Sequence, residues 1–311
     1  MKKINIKNKI VLTISLVFLF YIAIILFSDI SKISEEIFQI DPITIIIILA
    51  IEIISLIIRS IRQWKLFDTI GIKLKFTENL KLYFAGMSMF ATPGGAGILI
   101  KSQYLKNKFD IPRSKSSPAM LIERYQDFLA LTVILLITLI ISFLWISLIL
   151  TSISIVMLSV GFIIFRKITI LDKIRLLCSN NNFLLKFIPK IEFDGNLKNL
   201  TNIRVTIICC VLGIASFLVE GIGIFLSFNA FEQNMSYIHV LQLFYTSIIL
   251  GALSFLPGGL GITEGSMINL LVSDNTSLAT ATTLVLFIRL STIWFATFVG
   301  FLFARIFLKT N

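Results

Sequence analysis

The chain has 311 residues, of which 57% are hydrophobic and 14% charged, and its mean hydropathy is +0.95. Apolar runs approach the roughly 20 residues that cross a bilayer, so we predict a polytopic membrane protein. A net charge of +11 would indicate nucleic acid in a soluble chain, but here it follows from cytoplasmic loops that face anionic lipid. We therefore expect no nucleic-acid partner. The spacing of the three cysteines predicts neither a disulfide nor a zinc site, and we expect no metal and no cofactor.

The first apolar run, residues 10–27, is predicted to stay as a membrane span because no small-residue cleavage site follows it. Short cytoplasmic loops collect Lys and Arg, which places the basic N-terminus inside and the connector 28–42 outside. The next span carries Glu52. It leads to a basic connector, 59–81, which is predicted to lie in the cytoplasm.

The next apolar segment, 82–100, is interrupted by "TPGGAG". A full crossing would put the five basic residues of 101–117 outside and, two spans later (119–144 and 146–165), the eight of 166–204 as well. A chain that enters from the cytoplasm, turns and returns keeps them all inside. We therefore predict a re-entrant turn formed by Pro93, Gly94, Gly95 and Gly97.

The second half repeats this plan from the opposite face. The span 205–228 crosses outward, and no Lys or Arg occurs from residue 205 to 288. A second re-entrant segment, 238–272, then enters from outside, and 279–307 crosses back, leaving both termini in the cytoplasm of a cell-membrane protein. This second turn contains Pro257, Gly258, Gly259 and Gly261.

The predicted fold is all-α: six full transmembrane helices and two re-entrant broken-helix hairpins in one domain, 1–311, with inverted repeats at 43–165 and 205–307. In each repeat a glutamate precedes the turn, and an arginine follows the turn proline by 31 residues in the first repeat and 32 in the second. Inverted repeats whose broken helices meet near the bilayer midplane are a transporter plan. The four residues are Glu52 and Arg124, then Glu220 and Arg289.

Charged residues within spans are the candidate site residues, because each costs about 2.5 to 3.5 kcal/mol on insertion scales. Arg124 and Asp127 share a helix face, as do Glu123 and Asp127, and they either grip a head group or only fix helix packing. Arg289 is expected to pair with Glu264 as a gate, a lock or a strut.

Glu52 and Glu220, each alone in its span, are candidates for proton coupling or are hydrogen-bonded structural groups. The helix after each glycine turn exposes free N–H groups that suit a lipid phosphate, and Lys101 adds a charge there; the alternative is that the glycines only permit close helix packing. We predict that both turns, with Lys101, Arg124, Glu264 and Arg289, line one cavity.

The segments "TPGGAGILIK", "ERYQDFLAL", "LPGGLGITEG" and "FIR" resemble the lysylphosphatidylglycerol synthase transmembrane-region family, the flippase-like membrane domain of the multiple peptide resistance factor. The resemblance implies movement of a charged lipid, a phospholipid or a polyprenyl-phosphate-linked lipid, between leaflets. The chain has Ile98 where the family usually has an acidic residue and Gly95 where it often has an arginine, whereas Lys101 keeps the basic position. No soluble aminoacyl-transferase domain follows the last span, so we expect no synthase activity.

Two other classes stay open. One is a membrane enzyme of lipid-linked sugar metabolism: a glycosyltransferase using the external acids Glu35, Glu36 and Asp41, or a phosphatase, although the single histidine, His239, is expected at a span end. The other is a lipid-binding subunit that does not transport. We assign no catalytic residue. The expected partner is a lipid with an anionic or zwitterionic head group, together with either a second copy of the chain or a separate lipid-modifying enzyme.

Overall fold

A computed structural model describes residues 37–90, 99–142, 144–166 and 191–309. The predicted first span, the first glycine turn with Ile98, the acids Glu35 and Glu36, and most of the connector 166–204 lie outside the described residues. The described helices are α1 (Pro42–Thr69), α2 (Phe76–Met87), α3 (Ile100–Phe109), α4 (Arg113–Ile141), α5 (Trp145–Arg166), α6 (Ile191–Leu200), α7 (Ile203–Ala230), α8 (Tyr237–Leu253), α9 (Ile262–Ser273), α10 (Leu278–Arg289) and α11 (Phe295–Lys309).

Five of the six predicted spans correspond to helices that are long and apolar enough to cross a membrane. Their outward faces are rich in exposed aliphatic side chains, as lipid contact requires. The five are Pro42–Thr69, Arg113–Ile141, Trp145–Phe165, Ile203–Ala230 and Leu278–Ile306.

The two halves of the chain have the same order of elements. A helix of 28 residues (α1 or α7) is followed by two short helices with a break between them and then by a span of 29 residues. The contacts of α1 with α7 run in opposite order: a methyl group at Gly223 would touch Ile48 and Ile51, whereas Arg59 pairs with Glu220. These two helices are therefore antiparallel.

Helix α1 extends further than the sequence indicated. It begins with Asp41 as N-cap and Pro42 in its first turn, and it ends just before Gly71, whose φ is +69°. The cytoplasmic connector was predicted to start at residue 59, which is about ten residues before the helix ends. The cause is that Arg59 and Arg62 lie buried on the inner face of α1 rather than in a loop.

The second Pro-Gly motif forms a tight turn between α8 and α9. Gly258, Gly259 and Gly261 have φ values of +60°, +69° and +81°, which residues with a Cβ rarely adopt. A Cβ on Gly259 would also lie 3.1 Å from the Cα of Gly251 on α8. The glycines thus let the chain reverse and the two helices pack closely. Each Pro-Gly break lies between two short helices, since the first separates α2 from α3.

Two apolar clusters form the core. One is built mainly from α7, α8, α9 and α10 with the middle of α4, and the other from the second half of α1 with α2, the start of α4 and parts of α11. In the second cluster Gly300 of α11 lies so close to α2 that a Cβ would overlap the backbone of Met87 and Ser88. Both clusters border a central cavity.

Candidate functional site

A cavity of about 320 Å³ lies inside the helix bundle. Its walls are mostly apolar and aromatic, and they include the second glycine turn together with Met87 and Phe90, which directly precede the first. The described residues before the first Pro-Gly motif and the turn of the second therefore border the same cavity. Its charged lining residues are Glu52, Arg59, Arg124, Asp127, Glu220 and Arg289.

The first ion pair of the cavity joins α1 to α7. Arg59 Nη2 donates to Glu220 Oε2 at 2.6 Å, and its Nε donates to the Ser216 hydroxyl at 3.3 Å. The guanidinium also lies 4.3 Å from the centre of the Phe217 ring. Glu220 is the one charged residue of its predicted span, 205–228, and its cationic partner Arg59 comes from the neighbouring helix.

A second ionic group occupies the start of α4. Arg124 Nη2 lies 2.8 Å from Asp127 Oδ2, which confirms that these residues share a face, and Asp127 also accepts a hydrogen bond from Arg62 of α1. The Arg124 side chain is 26% exposed, compared with 7% for Arg59 and 3% for Arg289. Arg124 is thus the most accessible of the three arginines that line the cavity.

Lys101 lies outside the cavity, contrary to expectation. Its ammonium donates to Glu123 Oε2 at 2.9 Å and to Gln63 Oε1 at 2.5 Å, and it lies 4.5 Å from the Tyr83 ring centre. The Gln63 amide in turn donates to Asn79 at 2.9 Å. Lys101 and Glu123 are completely buried in this network, so the Lys101 charge fastens α3 to α4 and α1 and does not serve an anion at the first turn.

The predicted pair between Arg289 and Glu264 is present. Arg289 Nε donates to Glu264 Oε1 at 2.7 Å, and its Nη2 donates to the Gly258 carbonyl at 2.5 Å. The other carboxylate oxygen, Glu264 Oε2, accepts from the Gly261 N–H at 2.8 Å. Arg289 lines the cavity but Glu264 lies behind it, which corrects the expectation that both would. The free N–H at Gly261, expected to bind a phosphate, is capped by the chain's own carboxylate.

Arg289 also ends the regular part of its helix. The next five residues, Leu290–Trp294, form a π-helical turn before α11 continues the span. Thr292 and Ile293 of this turn line the cavity. Because π turns within α-helices occur frequently at functional sites, this one marks the Arg289 side of the cavity as a place where the helix is adapted to the site.

Glu52 faces the cavity from α1 and lies on the same face of that helix as Arg59. Its side chain is buried, with 4% of the residue exposed, and it makes no hydrogen bond or ion pair with any residue that the structure describes. The other buried carboxylates of the described spans all have cationic partners. They are Glu123, Asp127, Glu220 and Glu264.

A separate polar cluster lies at the ends of α4, α8 and α9. His239 Nε2 is 2.5 Å from Asp274 Oδ2, and its Nδ1 is 3.2 Å from the Ser142 hydroxyl. These partners of His239 were not predicted from the sequence, because Ser142 and Asp274 are 97 and 35 residues away from it. The shallow depression beside it is lined by His239 and Asp274 but not by Ser142, so the hydroxyl is not presented to that depression.

Sequence reasoning missed Arg59 and Arg62 as site residues. The available signal was the spacing of polar side chains along α1, which recur every three or four residues and so line one helix face. These residues are Glu52, Ser55, Arg59, Arg62 and Gln63.

Five membrane-length helices, together with two short helix pairs that reach a charged cavity, define a polytopic helical membrane protein with a polar site inside its bundle. The model of the lysylphosphatidylglycerol synthase transmembrane region matches residues 10–300, and the chain belongs to that family. It is similar to a UPF0104 membrane protein of Methanocaldococcus jannaschii, with 26% identity over 97% of this chain and 96% of that protein. A UPF0104 membrane protein of Methanothermobacter thermautotrophicus is 32% identical over 37% of this chain and 33% of its own length.

Proposed function

We propose that this protein moves a lipid with an anionic or zwitterionic head group between the leaflets of the cell membrane. The observation that carries the proposal is the central cavity, which combines three arginines with apolar walls and borders both helix hairpins. Guanidinium groups bind phosphate through paired, planar N–H donors, and aromatic and aliphatic walls suit the adjoining chain. Broken helices are tolerated at membrane depth where they line such a cavity.

The accessible arginine is the first group to test. Purified protein is reconstituted into vesicles that contain fluorescently labelled phosphatidylglycerol, and an impermeant quencher reports how fast label leaves the inner leaflet. Arg124→Ala should slow this movement about tenfold or more, because a hydrogen bond to a charged group is worth about 1.5 to 3 kcal/mol. Arg305→Ala is the matched control, since Arg305 is exposed on α11 and does not line the cavity. Wild-type vesicles that lose label no faster than protein-free vesicles would contradict the proposal.

The same preparation separates the other classes. An enzyme of lipid-linked sugar metabolism would convert a supplied lipid substrate into a new product, whereas a lipid-binding subunit would retain labelled lipid without moving it. The observation that favours an enzyme is the contact of Ser142, His239 and Asp274. The Ser142 hydroxyl, however, does not line the adjacent depression. We therefore propose a transporter and not an enzyme. It would work alone, as a homo-oligomer, or together with a separate lipid-modifying enzyme.

The orientation in the membrane is part of the proposal. Both termini and the connectors near Lys75, Lys108 and Lys190 should lie in the cytoplasm, with the hairpins entering from opposite faces. After Cys178, Cys209 and Cys210 are replaced, a single cysteine at each lysine position can be probed in intact cells with an impermeant thiol reagent. Labelling of Lys108→Cys from outside would show that the first hairpin is a full crossing.

A further inference from the structure

We infer that Glu52 is a proton-binding site of the central cavity, and that proton binding there accompanies entry of an anionic head group. The coupling of the proton to lipid movement rests on the proposed function, whereas proton binding by Glu52 does not. The geometry that carries it is a buried carboxyl group that faces the cavity and has no cationic partner among the described residues.

The charges around Glu52 do not neutralise it. Among the residues that the structure describes, two carboxylates, Glu52 on α1 and Glu220 on α7, share this part of the cavity with one cation, Arg59. Arg59 is committed to Glu220 at 2.6 Å. A buried carboxylate without a partner is costly, and the simplest relief is a bound proton, which removes the charge without any change of fold.

The groups that face Glu52 from the other helices leave this conclusion intact. On α4, Arg124 is paired with Asp127, and on α10, Arg289 is paired with Glu264. On α8, the Tyr245 hydroxyl donates to the Phe217 carbonyl at 2.5 Å. Each of these groups already has a partner within the described part of the chain, so Glu52 alone is left to exchange a proton with water in the cavity.

Substrate entry links the proton to the lipid. A phosphate that enters the cavity competes with Glu220 for Arg59, and every hydrogen bond it takes from the guanidinium leaves the two carboxylates less neutralised. Phosphate binding and proton binding then favour each other, because the proton replaces the positive charge that Arg59 has withdrawn. The proton leaves Glu52 for water on the side to which the cavity opens, so one proton would cross with each anionic lipid.

The test compares Glu52→Gln, which keeps the shape of the protonated acid but cannot titrate, with Glu232→Gln, an exposed glutamate in the α7–α8 connection. Movement of labelled phosphatidylglycerol by the wild type and by Glu232→Gln should fall as pH rises, approaching about tenfold per unit for one coupled proton. Movement by Glu52→Gln should be nearly independent of pH. A flat wild-type profile overturns the coupling while leaving the proposed function in place.

Infrared difference spectra between acid and alkaline pH provide a readout that needs no transport. The wild type and Glu232→Gln should show the carbonyl stretch of a protonated carboxylic acid that Glu52→Gln lacks. If that band persists in Glu52→Gln, the proton is held elsewhere and the inference is wrong. If the band behaves as expected but no lipid moves, Glu52 binds a proton and it is the proposed function that fails.

Discussion

The short helix after each Pro-Gly motif is fastened to the next span by a buried ion pair, yet the two pairs differ in polarity and in surroundings. In the first half the cation is Lys101 on α3 and the anion is Glu123 on α4. In the second half the hairpin carries the anion, Glu264, and the span carries the cation, Arg289. Both pairs are buried, but only Arg289 lines the cavity.

The two ion pairs therefore serve different purposes. The Lys101 pair is closed off by Gln63 and the Tyr83 ring, so it holds α3 in place and does not face the cavity. The Arg289 pair holds the second hairpin through Gly258 and Glu264 and also presents its guanidinium to the cavity. A ligand can therefore act on the second fastening and not on the first.

The largest expected effect comes from removing one member of either pair. Lys101→Met leaves the Glu123 carboxylate buried without its principal cation, and Arg289→Met does the same to Glu264. Each should lower the free energy of unfolding by about 3 to 5 kcal/mol. Thermal unfolding in detergent measures the loss, with Lys106→Met on the exposed side of α3 as control. If Lys101→Met unfolds like that control, the first pair fastens nothing.

Removing both members of a pair should separate fastening from function. A buried ion pair replaced by apolar side chains is often neutral for stability, so Lys101→Met with Glu123→Leu and Arg289→Met with Glu264→Leu should both recover most of it. Only the second double variant should still move labelled lipid at a rate at least about tenfold below that of the wild type, because it has lost one hydrogen bond from a charged donor to the head group. Equal transport by the two double variants would remove the distinction between the hairpins.

A smaller effect is expected from the turn of the second hairpin. Gly259→Ala places a methyl group at a φ of +69° and against Gly251, which should cost about 1 to 3 kcal/mol and slow lipid movement by shifting the cavity wall. Gly265→Ala is the matched control on the same hairpin, because nothing lies within 4 Å of its added Cβ. If the two alanine variants have the same unfolding midpoint, the turn does not need its left-handed backbone.

The sequence was sufficient for the five spans that the structure describes, for the glycine turn at Pro257 and for the pair of Arg289 with Glu264. Those features depend on local hydropathy, on glycine and on charges isolated in apolar runs. It was insufficient for Arg59, because a basic residue after an apolar run reads equally as a loop residue or as the end of a longer helix. Its partner Glu220 is 161 residues away, and the pairing exists only because α1 and α7 pack antiparallel. Lys101 was misplaced for the same reason, since Gln63 comes from another helix.

The smallest effect should come from the contact that ties the two ends of the second hairpin together. His239 at the start of α8 meets Asp274 just after α9, and their side chains are 26% and 34% exposed. Solvent screens such a pair, so a double-mutant cycle of His239→Gln with Asp274→Asn should give a coupling energy of about 0.2 to 1 kcal/mol. Ser142→Ala, which removes the hydroxyl on the other ring nitrogen, should leave lipid movement unchanged. A coupling well above that range, or a loss of lipid movement in Ser142→Ala, would mean that this cluster takes part in function and that the cavity is not the whole site.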